Sequence, residues 1–311
     1  MNFPALDGKK IFVTGGTGFF GKSILDMLRR GLLPGTQFVI LSRDPRRFLE
    51  KCPEFSDMPR VRFIAGDVKD FPFPQEKFDL ILHAATPAVT TLAPGEMRDV
   101  IINGTRHVLD FAGFCGARKL MLTSSGAVYG PQPPEVPNVS EDHPCRPVTE
   151  YGIAKLEAEQ MCVDAGIFTL LPRCFAFVGP YLDRNIHFAV GNFIRDALDR
   201  QPIVIRGDGT PFRSYLYADD LVEWLFTILD RGESGRPYNV GSPEGISIAD
   251  LARTVASCFE PVSEVRVLGT PVPGAPPARY VPDVTRAEKE LGLKVKTGLR
   301  EAIAKVREQA S

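Results

Sequence analysis

Tyr151 and Lys155 stand four residues apart in the run Tyr151-Gly152-Ile153-Ala154-Lys155, one proline-rich loop after Ser124-Ser125. Residues at i and i+4 share a helical face, so a helix through this run sets the phenol beside the ammonium. A free phenol has a pKa of about 10 and is a poor base at neutral pH unless nearby positive charge stabilises its phenolate. Lys155 supplies one such charge. Y-x-x-x-K also occurs on plain solvated helix faces, and its weight here comes from the elements that precede it.

The first of these is Ile11 to Ser23, IFVTGGTGFFGKS. Its apolar start predicts a buried strand, broken at Gly15-Gly16, with a helix over Ser23 to Arg30. Gly15, Gly18 and Gly21 recur every third residue, which permits a sharp turn, close approach of a ligand and tight helix packing. The helix start suits a pyrophosphate. The same residues from Gly16 to Ser23 also fit the phosphate loop of nucleotide triphosphatases, with Lys22 on the phosphates and Ser23 on magnesium. Further strands are predicted at Gln37 to Leu41, Val61 to Ala65, Phe78 to Leu82 and Lys119 to Thr123, with a helix from about Glu96 to Cys115. Strands separated by helix-length segments predict a doubly wound parallel sheet with ligands beyond its carboxyl ends. At the second strand's end stand Ser42, Arg43 and Asp44: an acid there would indicate NAD, and Arg43 leans the reading to NADP. At the fourth, His83 reads as a hydrogen-bonded histidine, and Ala84 and Ala85 let a cofactor lie on the backbone.

Composition narrows the partners. The 311 residues are 44% hydrophobic and 24% charged, ordinary for a globular chain. Lys plus Arg number 37 against 38 Asp plus Glu, so no global field draws nucleic acid or an anionic membrane. Six scattered cysteines without C-x-x-C spacing predict reduced thiols, a cytoplasmic location and no metal site. The most apolar later stretch, Ile167 to Val178, is too short to span a bilayer.

Nine motifs in order resemble the extended short-chain dehydrogenase/reductase family, the nucleotide-sugar epimerases, dehydratases and reductases. They are GGTGFFG (Gly15 to Gly21), GDV (Gly66 to Val68), HAA (His83 to Ala85), NGT (Asn103 to Thr105), SSGAVYG (Ser124 to Gly130), YGIAK (Tyr151 to Lys155), GNFI (Gly191 to Ile194), RSYLYADD (Arg213 to Asp220) and YNVGS (Tyr238 to Ser242). The triphosphatase reading explains none of the later ones. The resemblance implies a Rossmann-type α/β sheet with a smaller C-terminal substrate lobe. It makes Tyr151 the acid/base, has Lys155 lower its pKa and contact the nicotinamide ribose, and gives Ser125 the reacting oxygen. Gly15, Thr17, Gly18, Phe19, Phe20, Gly21, Ser42, Arg43, Asp67, Val68, His83, Ala84, Ala85 and Asn103 would join Tyr151 and Lys155 around NAD or NADP. Asn192, Arg213 and, more loosely, Arg279 would hold a nucleotide-diphosphate sugar with Ser125.

Departures from the family's patterns narrow the expected reaction. Gly126 and Ala127 stand where members that eliminate water carry an acid and a base, and Ala127 stands where decarboxylating members carry a glutamate. Neither activity is therefore expected. Ala176 replaces an asparagine that many members place on the substrate. What remains is C4 epimerisation through a transient keto sugar, or one-way reduction of a keto sugar by NADPH; a non-catalytic dinucleotide-binding protein is the reading from another class. The dinucleotide domain is expected over 1–175 with a return at about 214–242, and the substrate lobe over 176–213 and 243–311. The family's usual homodimer would pack the helix that carries Val100, Ile101, Val108 and Leu109 and the Tyr151 helix into a four-helix bundle, and the same apolar positions are equally compatible with burial against the sheet.

Overall fold

Short β-branched and aromatic runs alternate with amphipathic segments, and the chain folds accordingly. A computed structural model describes residues 2–87, 93, 95–186 and 188–310. The elements are β1 (Lys10–Thr14), α1 (Phe19–Arg29), β2 (Gln37–Ser42), α2 (Pro45–Lys51), β3 (Val61–Ala65), β4 (Leu80–His83), α3 (Glu96–Cys115), β5 (Lys119–Leu122), β6 (Ser124–Ser125), α4 (Glu150–Asp164) and β7 (Phe168–Cys174). Then follow β8 (Phe177–Val178), α5 (Ala189–Leu198), β9 (Ile203–Ile205), β10 (Phe212–Arg213), β11 (Leu216–Tyr217), α6 (Ala218–Arg231), β12 (Pro237–Val240), β13 (Ile246–Ser247), α7 (Ile248–Ala256), β14 (Val265–Val267), β15 (Arg279–Tyr280), α8 (Thr285–Leu291) and α9 (Leu299–Ala310). No helix among the described residues is long and apolar enough to cross a membrane.

The main sheet runs β12-β7-β5-β4-β1-β2-β3. The pairs from β3 through to β7 are parallel. Strand order reverses between β1 and β4, the place where such sheets open a crevice for a ligand. Helix α1 starts at Phe19, earlier than the sequence pattern predicts, because the chain enters the helix straight from the glycine turn. Gly21 is thereby pressed on the turn: a Cβ there would lie 2.1 Å from the Gly16 backbone.

Phe12 of β1 anchors the core, its ring 4.7 Å from Phe111, 5.3 Å from Phe78 and 5.4 Å from Phe71. Burying a ring of this size contributes about 1.5–3 kcal/mol. Ile101 and Val108 of α3 are buried in this same cluster, with Val100 and Leu109 packed against it. These four positions thus serve the chain's own core.

The chain divides into two units, one of residues 1–128, 147–174 and 222–238, the other of residues 129–146, 175–221 and 239–311. The expected boundary shifts at one segment in particular. Residues 129–146 belong to the second unit because Val139 donates to the Val281 carbonyl at 2.9 Å and accepts from the Asp283 N–H at 2.8 Å. The second unit is built of small ribbons, β8 with β11, β9 with β14, and β10 between β13 and β15.

Candidate active site

Strand β6 and helix α4 bring the predicted catalytic residues together in the first unit. Thr149 caps α4, its hydroxyl accepting from the Gly152 N–H at 3.1 Å, which places Tyr151 in the first turn. Gly152 is needed there: a Cβ would lie 2.6 Å from the Ala127 carbonyl oxygen, so any side chain would push the helix off the turn that follows Ser125. Ser125 and the Tyr151 hydroxyl are hydrogen-bonded. The Ala127 N–H donates to Ser125 Oγ at 3.2 Å, orienting that hydroxyl. One turn on, Lys155 Nζ lies 5.9 Å from the Tyr151 ring centroid and donates to the Thr123 carbonyl at 2.9 Å and Thr86 Oγ1 at 2.7 Å.

Below this layer lies a buried ion pair. Arg173 grips Glu159 through Nε at 3.0 Å and Nη2 at 2.7 Å, and Ser124 Oγ donates to the same carboxylate. The parallel register sets Ser124 beside Arg173 and Ser125 beside Cys174. Glu159 is four residues after Lys155, so the pair ties α4 to both β6 and β7 under the reactive groups.

Burial dominates the electrostatics. Lys155, only 3% exposed, is pulled down to about 8 by burial, with Cys174 and Glu159 opposing. The Tyr151 phenol is pushed above its ordinary value by burial, and the Ser125 hydrogen bond opposes that. Protein groups alone therefore do not bring the phenol into the range of a base at neutral pH, contrary to the expected lowering by Lys155. Burial drives the Cys174 thiol up to about 12, which keeps it neutral and inert.

The glycine turn joins the same sheet edge. Gly15 has a left-handed φ of 73°, and a Cβ on it would lie 2.4 Å from the Ala84 carbonyl carbon. Thr14 Oγ1 accepts from the Ala85 N–H at 3.2 Å and meets His83 Nδ1 at 2.7 Å, while His83 Nε2 meets Thr105 Oγ1 at 3.1 Å. Both ring nitrogens are engaged, as a hydrogen-bonded histidine requires, and burial holds the imidazole down at about 3, which keeps it neutral. Gly18 begins α1 with no side-chain cap and the first turn holds no acid, which fits a pyrophosphate there. Thr17, Phe19 and Phe20 are half-buried around it. Ser42 is buried at the end of β2 and Arg43 is exposed after it. Asp67 accepts from the Lys69 N–H at 3.0 Å, and Val68 packs under Gly104. Asn103 is exposed, its amide bonded to Asp99 and Arg106, a surface arrangement that supplies no aimed group.

The substrate residues lie in the second unit. Asn192 of α5 lines a cavity of about 920 Å³ together with Val204, Arg206, Asp208, Pro211 and Ile248. Its Oδ1 is buried with no hydrogen-bond partner among the described residues. Arg213 and Arg279 are absent from that lining. The parallel register of β10 and β15 sets Phe212 beside Arg279 and Arg213 beside Tyr280. Neighbouring residues of a strand point to opposite faces, so the two guanidiniums leave opposite sides of the ribbon. Each rests on its own ring, Arg213 5.9 Å from Tyr280 and Arg279 4.4 Å from Phe212.

Residues 11–241 match the profile of the NAD dependent epimerase/dehydratase family. The chain belongs to that family. Among curated relatives, UDP-glucuronic acid decarboxylase 1 of Arabidopsis thaliana is 29% identical over 308 residues, 96% of this chain and 68% of the relative. UDP-glucuronic acid decarboxylase 1 of Danio rerio is 30% identical over 314 residues, 96% of this chain and 72% of the relative. Among solved structures, UDP-glucose 4-epimerase of Thermotoga maritima superposes with a TM-score of 0.83 at 22% identity, covering 97% of this chain and 100% of the other. A dTDP-glucose 4,6-dehydratase of Streptomyces venezuelae gives 0.81 at 24% identity, with 96% of each chain covered. The expectation that decarboxylation is absent gains no support from these relatives.

Within this epimerase/dehydratase family fold, three groups at the site escaped sequence reasoning: Glu159, Arg173 and Thr86. Glu159 continues the series Tyr151, Lys155 on one helical face, a signal that was available. Arg173 and Thr86 come from strand and loop positions with no local pattern. Among the described residues no three His, Cys, Asp or Glu side chains gather as a metal site.

Proposed function

We propose that this chain moves a hydride at one hydroxyl-bearing carbon of a nucleotide-diphosphate sugar, at C4, as an epimerase working through a transient keto sugar. The observation that carries the reading is Ser125, Tyr151 and Lys155 meeting at the carboxyl edge of a parallel sheet that starts with a glycine turn. When bound, the nicotinamide of NAD or NADP supplies the hydride acceptor and a positive ring. Tyr151 takes the proton from the sugar hydroxyl, Ser125 fixes that oxygen, and Lys155 adds charge that favours the phenolate. Returning the hydride to the other face inverts the carbon. Gly15 to Gly21 would hold the pyrophosphate. Asn192, Arg213 or Arg279 would hold the sugar nucleotide, and the buried Asn192 Oδ1 in a cavity of about 920 Å³ supports a ligand with a donor to offer.

A reductase is the second reading, supported by Arg43 at the end of β2. A decarboxylase is the third, supported by the curated relatives. A 4-keto uronic acid is a β-keto acid that loses carbon dioxide readily, so Ala127 in place of a glutamate does not remove it.

The test is turnover of a panel of UDP- and dTDP-linked hexoses, their 4-keto forms and UDP-glucuronate, followed by NMR, nicotinamide absorbance and carbon dioxide release. C4 epimers without net redox support the epimerase. Net NADPH consumption by a 4-keto sugar replaces it with the reductase, and carbon dioxide from UDP-glucuronate with the decarboxylase. No turnover of any member, with intact dinucleotide binding, would leave a binding protein.

A further inference from the structure

The chain between β14 and β15 is fastened at its two ends. Leu268 donates its N–H to the Ile205 carbonyl at 2.9 Å and Gly269 to the Gly207 carbonyl at 3.1 Å; on the far side the Phe212 N–H donates to the Ala278 carbonyl at 2.8 Å. A Cβ on Gly269 would lie 2.6 Å from the Gly207 carbonyl carbon, so the first anchor is backbone packed on backbone. Ile205, Gly207 and Pro211, the neighbour of Phe212, line the same cavity as Asn192. Both feet of the segment therefore stand on the wall of that cavity.

Between the feet, Thr270 to Pro276 are all exposed. Among the described residues they make no hydrogen bond or ion pair to the rest of the chain. Their one bond is internal, from the Ala275 N–H to the Val272 carbonyl at 3.1 Å, with Pro273 and Gly274 (φ 78°) at the centre of a type II turn. That turn reverses the chain inside the proline run, so the segment is not the straight polyproline II rod that proline-binding modules take. Pro271, Pro273, Pro276 and Pro277 fix their own φ, and a segment stiffened in this way loses little entropy when it settles on a surface. Its large side chains are apolar and in water: Leu268 is 65% exposed and Val272 68%. A bound ligand would give them a surface to cover.

Resting on the reading that this cavity takes the sugar nucleotide, we propose that residues 268–277 are a hinged flap that folds over the bound nucleotide, with Leu268 and Val272 becoming part of its binding site. The flap pivots at Gly269 and Ala278, where its backbone hydrogen bonds stop. Closure shields the nucleotide from water and slows its release.

Equilibrium and stopped-flow binding of UDP, dTDP, GDP and ADP to the intact protein tests this, with Val272→Trp as the reporter. The native Trp224 is only 1% exposed and gives a constant background. Whichever nucleotide binds should move the added emission to shorter wavelength and shield it from acrylamide. Leu268→Ser and Val272→Ser should each weaken that binding about tenfold through faster dissociation, with association within about twofold. Val262→Ser, an exposed valine outside the segment, should keep both rates within about twofold. Binding that leaves the reporter unchanged, or serine variants of the flap that release the nucleotide no faster than Val262→Ser, would overturn the flap and leave the cavity reading in place. No binding of any of the four to the unaltered protein would overturn both.

Discussion

Lys155 and Arg213 are both cations proposed to meet polar or anionic partners, yet the fold holds them differently. Lys155 is buried in the first unit, its ammonium fixed by a backbone carbonyl and a threonine hydroxyl, and the Glu159–Arg173 pair lies a turn beneath. Arg213 is half-buried in the second unit and lies over an aromatic ring, with one donor on its neighbour's carbonyl at 2.8 Å. His83 has both nitrogens engaged, whereas Asn192 keeps a buried acceptor without a partner. Groups that move protons need a fixed geometry before the substrate arrives, and the core supplies it. Groups that recognise a ligand keep hydrogen-bonding capacity in reserve, which the ligand then satisfies.

The contrast can be broken most severely at Tyr151. Tyr151→Phe should lower kcat by about 10²- to 10⁴-fold with dinucleotide affinity retained; a loss below about tenfold would show that another group moves the proton. Next comes the ion pair. Glu159→Gln leaves the Arg173 charge buried without its counter-ion, which costs about 3–5 kcal/mol in urea unfolding, and adding Arg173→Met should recover most of it. A single-variant cost under about 1 kcal/mol would make the pair as dispensable as a surface one.

Smaller effects sharpen the comparison in the second unit. Because their side chains leave opposite faces of the ribbon, Arg213→Ala and Arg279→Ala should differ: about 10- to 100-fold in KM for the first, from a lost charge-assisted bond, and little for the second. Equal rises would contradict the opposed faces. The smallest effect is in pH. With its pKa at about 8, against 10.5 for a free side chain, Lys155 loses its charge as pH rises through 8, so kcat should fall above that point. Glu159→Gln removes an anion that holds this pKa up and should move the limb to lower pH. The linked stability has the opposite sign. The folded pKa lies below the unfolded one, so burying the charged lysine costs stability below pH 8, and that cost fades between 8 and 10.5.

What was legible in the sequence depended on how local its cause was. The glycine turn, the strands and the Tyr151 to Lys155 spacing are set within a few residues, and a parallel sheet follows from alternating strand and helix. His83 as a hydrogen-bonded histidine followed from its place at a strand end, whereas its threonine partners and its neutrality come from the fold. Arg173 was legible only as an interruption of an apolar run, since its meaning lies in Glu159 across a helix-to-strand contact. The opposed faces of Arg213 and Arg279 depend on a register between distant strands. The assignment of residues 129–146 to the second unit depends on Val281 and Asp283, which no pattern near Val139 announces.

The pairing of Val139 with the chain around Pro282 also constrains synthesis. A chain leaving the ribosome from its N-terminus exposes residues 129–146 long before their partners are made. The first unit waits as well, since β12 lies at the end of the main sheet's strand order, beside β7. Residues 129–146 therefore stay without their strand partner until the chain around Pro282 has been made. A nascent chain stopped before Pro282 should therefore be protease-sensitive throughout residues 129–146, and a chaperone that holds extended segments would find its longest-lived target there.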